Sequence, residues 1–160
     1  MNGDLLPLNL MVIQKFSDSI LNRIINSGDR ALWLESLRTG AHQVNTVKEM
    51  VTYIINECSE KEQLVGSLTI SGHGNPTGFR IGNMDFITVE SLPNFKEDLS
   101  KLAPLFVRRA GVYIEACETG QNTQLLREFS KVLGGVTVTA RKAVQSSWTP
   151  SGPSSTETQD

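Results

Sequence analysis

The sequence has only two cysteines, 6% aromatic residues, and no apolar run near the ~18 residues that a membrane span needs. Its charges nearly balance, 15 basic against 17 acidic, and no basic run or acidic tail is present. Nucleic acid and membrane surfaces are therefore not expected as partners. The first 14 residues contain Asp4 and no Lys or Arg before the apolar stretch, unlike a secretory signal.

The same absences indicate a reducing compartment. Besides having few cysteines, the sequence contains no Asn-x-Ser/Thr acceptor with a permitted middle residue. Disulfides and glycosylation both belong to oxidising compartments, so neither is expected here. We predict a cytoplasmic protein, or one that is exported by a route that needs no signal.

The composition is that of one globular domain. A chain of 160 residues, 39% of them hydrophobic, can bury about two thirds of its unfolded surface in a single core. We expect this domain at residues 1–148. Residues 149–160 contain no core residue and are predicted to be disordered.

Apolar segments along the chain alternate between strand and helix patterns. Strands are predicted at residues 5–12, 31–36, 67–71, 112–114 and 136–140. Helical stripes are predicted at residues 13–25, from Val44 to Cys58 with Ile55, from Phe95 to Phe106 with a break at Pro104, and from Leu125 to Leu133. A hairpin is expected around Gly82. This order predicts an α/β fold, a mainly parallel sheet with helices on both faces.

Two reactive side chains follow predicted strands. Cys117 ends an apolar run in the stretch GVYIEACETG, and His73 ends another in SLTISGHG, 44 positions earlier (117 − 73). Open parallel sheets bind their ligands at the carboxyl ends of the strands. If the two strands are parallel neighbours, both side chains emerge at one sheet edge, as a thiol and its base require.

Together, Cys117 and His73 predict nucleophilic catalysis. A single Cys or His at such a position is most often a packed residue, but here both stand at strand ends near glycines. The thiolate is the reactive form, so a base must lower the thiol pKa from its free value of about 8.5. The backbone N–H groups of Gly74 and Cys117 would face the developing oxyanion.

Metal and phosphatase chemistry are both disfavoured. Cys58 falls on a helical stripe and is interpreted as a buried small hydrophobe, and His42 is placed at the start of the same helix. No set of three or four metal ligands then remains. The first Arg after Cys117 is Arg127, too far along the chain to close an anion-binding loop. We expect no metal and no cofactor.

The two motifs resemble those of caspase-like (clan CD) cysteine peptidases, in which the His lies about 50 residues before the Cys. The box YIEACETG is most similar to the legumain branch and more loosely to metacaspases, whereas TISGHG is similar to bacterial CHAT and toxin-processing domains. The resemblance covers roughly residues 5–148. It implies a three-layer sandwich and a peptidase domain at residues 1–148.

The same resemblance implies the roles of individual residues. Cys117 would be the nucleophile, His73 the base and Gly74 an oxyanion donor of a cysteine endopeptidase. Its substrate would be a protein or peptide, including the chain itself or one dedicated partner. An alternative from another class is a caspase-like binding or scaffold module with an idle dyad. The intact dyad and adjoining glycine favour the peptidase.

A specificity pocket is also implied by the resemblance. Legumain-like enzymes line it with the acidic residue two before the Cys, here Glu115, and with a later pair of serines and an aromatic, here Ser146, Ser147 and Trp148. Strand alternation puts Glu115 on the same side as Cys117. We therefore predict Arg, Lys or Asn before the cleaved bond, with Asp disfavoured. Glu115 as a solvated charge and Trp148 as a packing residue are the open alternatives.

Overall fold

The computed structural model describes residues 6–15, 40–116, 119, 122–141 and 154–157. Within them, the larger of two sheets contains β1 (Leu8–Gln14), β2 (His42–Val44), β3 (Val65–Ser71), β7 (Phe106–Glu115), β8 (Thr137–Arg141) and β9 (Ser154–Glu157). The strand order is β2-β1-β3-β7-β8-β9. All pairs are parallel except β8 with β9. The predicted α/β class with a mainly parallel sheet is confirmed.

A smaller antiparallel sheet contains β4 (Gly74–Asn75), β5 (Gly78–Ile81) and β6 (Asp85–Thr88). β5 and β6 form the hairpin that the sequence predicts. Its turn contains Gly82, whose φ of +76° favours glycine and whose Cβ, if present, would collide with the backbone of Asn45. Asp85 accepts the N–H of Val47 at 2.8 Å. The hairpin therefore docks on the segment that starts the first described helix.

Three α-helices lie in the described ranges: α1 (Val47–Lys61), α2 (Lys96–Ser100) and α3 (Thr123–Val132). The Thr46 side chain caps α1 by accepting the N–H of Glu49 at 3.0 Å. The Asn122 side chain caps α3 by accepting the N–H of Leu125 at 3.1 Å. Contacts of α2 with both other helices join the three into one layer. None of these helices is long and apolar enough to cross a membrane.

The core lies between this helical layer and one face of the main sheet. Alternate residues along the central strands point into it, among them Val12, Leu68 and Val112, each 0% exposed. The other face is more polar, since Ser67 donates to Asn9 at 2.8 Å there. The helix predicted at residues 13–25 lies outside the described residues from position 16 onward.

The first strand and the first described helix start later than the sequence pattern predicts. β1 continues to Gln14, so Ile13 is a buried strand residue and not the start of a helical stripe. Val44 was predicted to be helical, but it lies in β2 and pairs with Gln14. The reason is the Thr46 cap, which starts the helix after the short strand. Ile55, predicted on the same stripe, is 36% exposed.

The stripe predicted from Phe95 to Phe106 is also wrong at its ends. The chain forms the 3₁₀ turns Leu92–Phe95 and Ala103–Leu105 on either side of α2. Pro104 has no N–H and fits the first turn of a 3₁₀ segment but not a helix interior. Phe106 instead begins β7, which is 10 residues long. The stripe predicted from Leu125 to Leu133 is confirmed as α3.

The predicted tail contributes one strand. β9 pairs with β8 at the edge of the sheet, so the prediction that residues 149–160 are disordered is wrong for Ser154–Glu157. A strand can add to an open edge through its backbone alone, without apolar side chains. The strand predicted at residues 31–36 lies outside the described residues.

Candidate active site

The strands that precede His73 and Cys117 are neighbours in the main sheet. β3 ends at Ser71 and β7 at Glu115, and these two residues are partners in a parallel ladder. His73 and Cys117 each follow two positions later in the sequence. The prediction that the strands before His73 and Cys117 are adjacent and parallel is confirmed. Cys117 itself lies outside the described residues.

The backbone around His73 is fixed by the strands on both sides of β3. The His73 N–H donates to Oε1 of Gln14, at the end of β1, over 3.4 Å. The Gly72 N–H donates to the carbonyl oxygen of Glu115, at the end of β7, over 3.3 Å. The side chain of His73 is exposed at this edge. A general base has to be accessible in this way to reach a substrate.

Gly74 packs against residues on both sides of Cys117 in the sequence. A Cβ on Gly74 would lie 2.7 Å from Cβ of Ala116 and 2.7 Å from Oγ1 of Thr119. Real side chains do not approach so closely, so only glycine allows this contact. The segment after β3 is therefore in contact with Ala116 and Thr119, which flank the predicted nucleophile in the sequence.

The N–H group of Gly74 is not used in the ladder between β4 and β5. Gly74 is paired with Phe79, and the Arg80 N–H donates to the carbonyl oxygen of His73 at 2.9 Å. This pattern makes Gly74 and Phe79 a non-hydrogen-bonded pair. The Gly74 N–H, the predicted oxyanion donor, therefore forms no hydrogen bond within this ladder.

The loop after β7 is attached to the turn between β4 and β5. Thr119 is 0% exposed, and its Oγ1 donates to the carbonyl oxygen of Gly78 at 3.2 Å. Asn122 closes the loop, because its N–H donates to the Thr119 carbonyl oxygen at 3.0 Å. Its side-chain amide also donates to the Thr77 carbonyl oxygen at 3.4 Å.

Of the predicted pocket residues, the described part of the chain contains only Glu115. It is the last residue of β7, is partly buried, and shares the polar face of the sheet with Tyr113, which is 43% exposed. This agrees with the predicted alternation along the strand. Ser146, Ser147 and Trp148 lie outside the described residues.

Neither Cys58 nor His42 belongs to this edge. Cys58 is 2% exposed in α1, and burial, together with the nearby Glu57, raises the pKa of its thiol. The interpretation of Cys58 as a buried small hydrophobe is confirmed. His42 was placed at a helix start, but it lies in β2 and stacks on Tyr53 with 3.9 Å between ring centroids. Among the residues that the structure describes, no group of three or more His, Cys, Asp and Glu could hold a metal ion.

Sequence reasoning missed three polar residues that shape this edge. The sequence pattern does not indicate Gln14, because it predicts a first strand that ends at residue 12, two positions before its observed end. Thr119 and Asn122 lie close to Cys117 in the sequence, but their hydrogen bonds reach residues 41 and 45 positions away. The signal that the sequence offers for Thr119 and Asn122 is that both are polar residues soon after the predicted nucleophile.

Comparisons with protein-family models, with curated proteins and with solved structures found no match to this chain. The function is therefore inferred from the geometry of the sheet edge and from the two sequence motifs.

Proposed function

We propose that the protein is a cysteine endopeptidase of the caspase-like class, with the three-layer sandwich of that class. The observation that carries the proposal is the contact between the His73–Gly74 segment and the loop after β7. Gly74 meets Ala116 and Thr119, which flank Cys117 in the sequence. This contact brings a base, an oxyanion donor and the nucleophile's loop to one edge of the sheet.

The proposed reaction is acyl transfer. The Cys117 thiolate attacks the carbonyl carbon of the scissile bond, and a C–S bond forms as the carbonyl π electrons move to the oxygen. The Gly74 N–H donates to that oxyanion. The tetrahedral intermediate then collapses, the C–N bond breaks, and His73 gives the proton it took from the thiol to the leaving amine. Water, deprotonated by His73, hydrolyses the thioester and regenerates the thiol.

The site favours this role over an idle binding module. A binding module has no need for an exposed imidazole beside a glycine whose N–H is left out of the ladder. We further infer that the protein acts on a protein or peptide substrate in a reducing compartment, where its thiol stays available. The cytoplasm meets this condition; a protein that is exported without a signal meets it only where its destination is also reducing.

The function is tested by incubating the purified protein with a peptide library and identifying the cleaved bonds by mass spectrometry. Cleavage that is absent in a Cys117→Ala variant supports the peptidase. If no peptide is cleaved, and the protein does not process itself, the binding-module alternative replaces the proposed peptidase.

We predict that the library profile depends on Glu115. A carboxylate at the end of β7, two residues before the proposed nucleophile in the sequence, favours a substrate side chain that is cationic or donates hydrogen bonds. The wild type should cleave after Arg or Lys, or after Asn, and disfavour Asp. In Glu115→Gln, kcat/KM for the basic substrates should fall about 10- to 150-fold, because hydrogen bonds to charged groups contribute about 1.5–3 kcal/mol.

The matched control for this substitution is Glu118→Gln, which removes the same charge one residue after Cys117. It should leave the profile unchanged. Strong cleavage after Asp by the wild type, or identical profiles in wild type and Glu115→Gln, would show that Glu115 is only a solvated charge at the strand end.

A further inference from the structure

Thr119 is one of the few polar side chains buried in the described part of the chain, at 0% exposure. Burying a hydroxyl group is unfavourable unless it forms a hydrogen bond. Thr119 forms one to the carbonyl oxygen of Gly78, 41 positions earlier in the chain. Thr119, two residues after the predicted nucleophile in the sequence, is thus hydrogen-bonded to a strand of the smaller sheet.

The turn that precedes Gly78 is held by hydrogen bonds of its own. Oδ1 of Asn75 accepts the Thr77 N–H at 2.8 Å, the Thr77 hydroxyl at 2.6 Å and the Gly78 N–H at 3.2 Å. Such a side-chain bonded turn holds its backbone in one conformation. Next to it, Phe79 packs edge-to-face on Phe129 of α3, with 5.3 Å between ring centroids. Thr119 therefore binds a backbone carbonyl that is held in place.

Thr119 also contacts the residue that would bind the oxyanion. Its Oγ1 lies 2.7 Å from the position that a Cβ on Gly74 would take. The same hydroxyl thus sets two distances, from the loop to the Gly78 carbonyl and from the loop to Gly74. Moving it would shift the nucleophile's loop relative to the Gly74 N–H.

We propose that Thr119 is a positioning residue, which holds the loop after β7 so that the Cys117 thioester and the Gly74 oxyanion donor keep their alignment. This inference rests on the proposed function. The hydroxyl group of Thr119, and not its methyl group, is the important part of the side chain. Thr119 affects the chemical step and not substrate affinity, because it is buried and does not reach a substrate.

The test uses the full chain and a fluorogenic peptide with Arg before the scissile bond. Thr119→Val keeps the shape and removes the donor, whereas Thr119→Ser keeps the donor. The control is Ser130→Ala, since Ser130 is also 0% exposed and donates to a backbone carbonyl, that of Val136, at 2.5 Å. Unfolding midpoints show whether Thr119→Val and Ser130→Ala lose comparable stability.

Thr119→Val should lower kcat about 10- to 100-fold, the effect of a small misplacement of reacting groups, with KM within about twofold. Thr119→Ser should stay within about threefold of the wild type, and Ser130→Ala should keep its kcat. Alkylation of Cys117 by iodoacetamide needs a thiolate but no oxyanion donor. Its rate and pH profile should therefore be the same in Thr119→Val and in the wild type.

Three results would overturn the inference while leaving the peptidase in place: an unchanged kcat in Thr119→Val, a kcat in Thr119→Ser as low as in Thr119→Val, or alkylation slowed as much as hydrolysis. If Thr119→Val does not fold, Thr119→Ser decides, and a loss beyond about tenfold contradicts a role for the hydroxyl alone. A wild type without Cys117-dependent hydrolysis overturns both the proposed function and this inference.

Discussion

Replacing Cys117 or His73 with alanine is expected to abolish peptide hydrolysis, with kcat/KM falling at least about 10⁴-fold in each variant. Loss of Cys117 removes the atom that forms the acyl intermediate. Loss of His73 removes both the base for the thiol and the acid for the leaving amine. Because the two act as a unit, the double variant should be no less active than either single variant. Steady-state kinetics on one peptide compare all three.

Cys58→Ser is the control for this prediction. Cys58 is buried in α1 on the core side of the sheet, so a hydroxyl there should cost about 1–3 kcal/mol of folding free energy and leave kcat/KM near the wild-type value. Circular dichroism of the Cys117 and His73 variants should match that of the wild type, which would show that they keep their fold. Full activity in Cys117→Ala would contradict the assignment of the nucleophile.

Gly74→Ala is expected to have the second largest effect. The new methyl group would lie 2.7 Å from both the Ala116 Cβ and the Thr119 Oγ1, so one of the two loops has to move. Such a shift misaligns the Gly74 N–H with the oxyanion. Removing one oxyanion donor typically lowers kcat about 10²- to 10³-fold, and we expect a loss in that range with KM little changed.

The chain offers a matched control for this steric argument. A Cβ on Gly66, at the amino end of β3, would lie 2.6 Å from Cβ of Pro7, a comparable clash at the opposite end of the strand. Gly66→Ala should lose stability without losing kcat. If the two variants lose stability and activity in the same proportion, the effect of Gly74→Ala is on folding and not on an oxyanion donor.

The parallel core strands could be predicted because their sequences are strongly apolar and end in polar residues. Ile70 and Ile114 are buried partners in adjacent strands, and both strands end at the edge where the sequence places its reactive residues. The hairpin around Gly82 could be predicted for a similar reason, since its turn needs a positive φ. In both cases a local pattern matches the tertiary structure.

Other elements depend on partners that no local pattern shows. β2 is three residues long, and His42 and Gln43 are exposed in it, so only pairing with β1 identifies it as a strand. The amino-terminal half of β7 contains Arg108 and Arg109, both exposed, and lacks the alternation of a half-buried strand. The sequence pattern therefore placed Phe106 in a helix instead.

In the candidate site, too, only part could be predicted from the sequence. Its chemistry could be proposed from the two motifs, because a thiol and an imidazole at strand ends have few other common uses. The groups that fix its geometry could not be predicted, since Gln14 and Thr119 act through single hydrogen bonds to distant backbone groups. Buried polar contacts of this kind are decided by the packing of loops and not by periodicity along the chain.

The proposed His73–Cys117 dyad is tested most directly by covalent labelling with a peptidyl acyloxymethyl ketone that carries Arg before the electrophile. The labelled thiol is then mapped by mass spectrometry. We expect wild-type protein to be labelled at Cys117, labelling to be lost in Cys117→Ala, and labelling to be strongly slowed in His73→Ala. Labelling at Cys58, or labelling of Cys117 at the same rate with and without His73, would contradict a His73–Cys117 dyad.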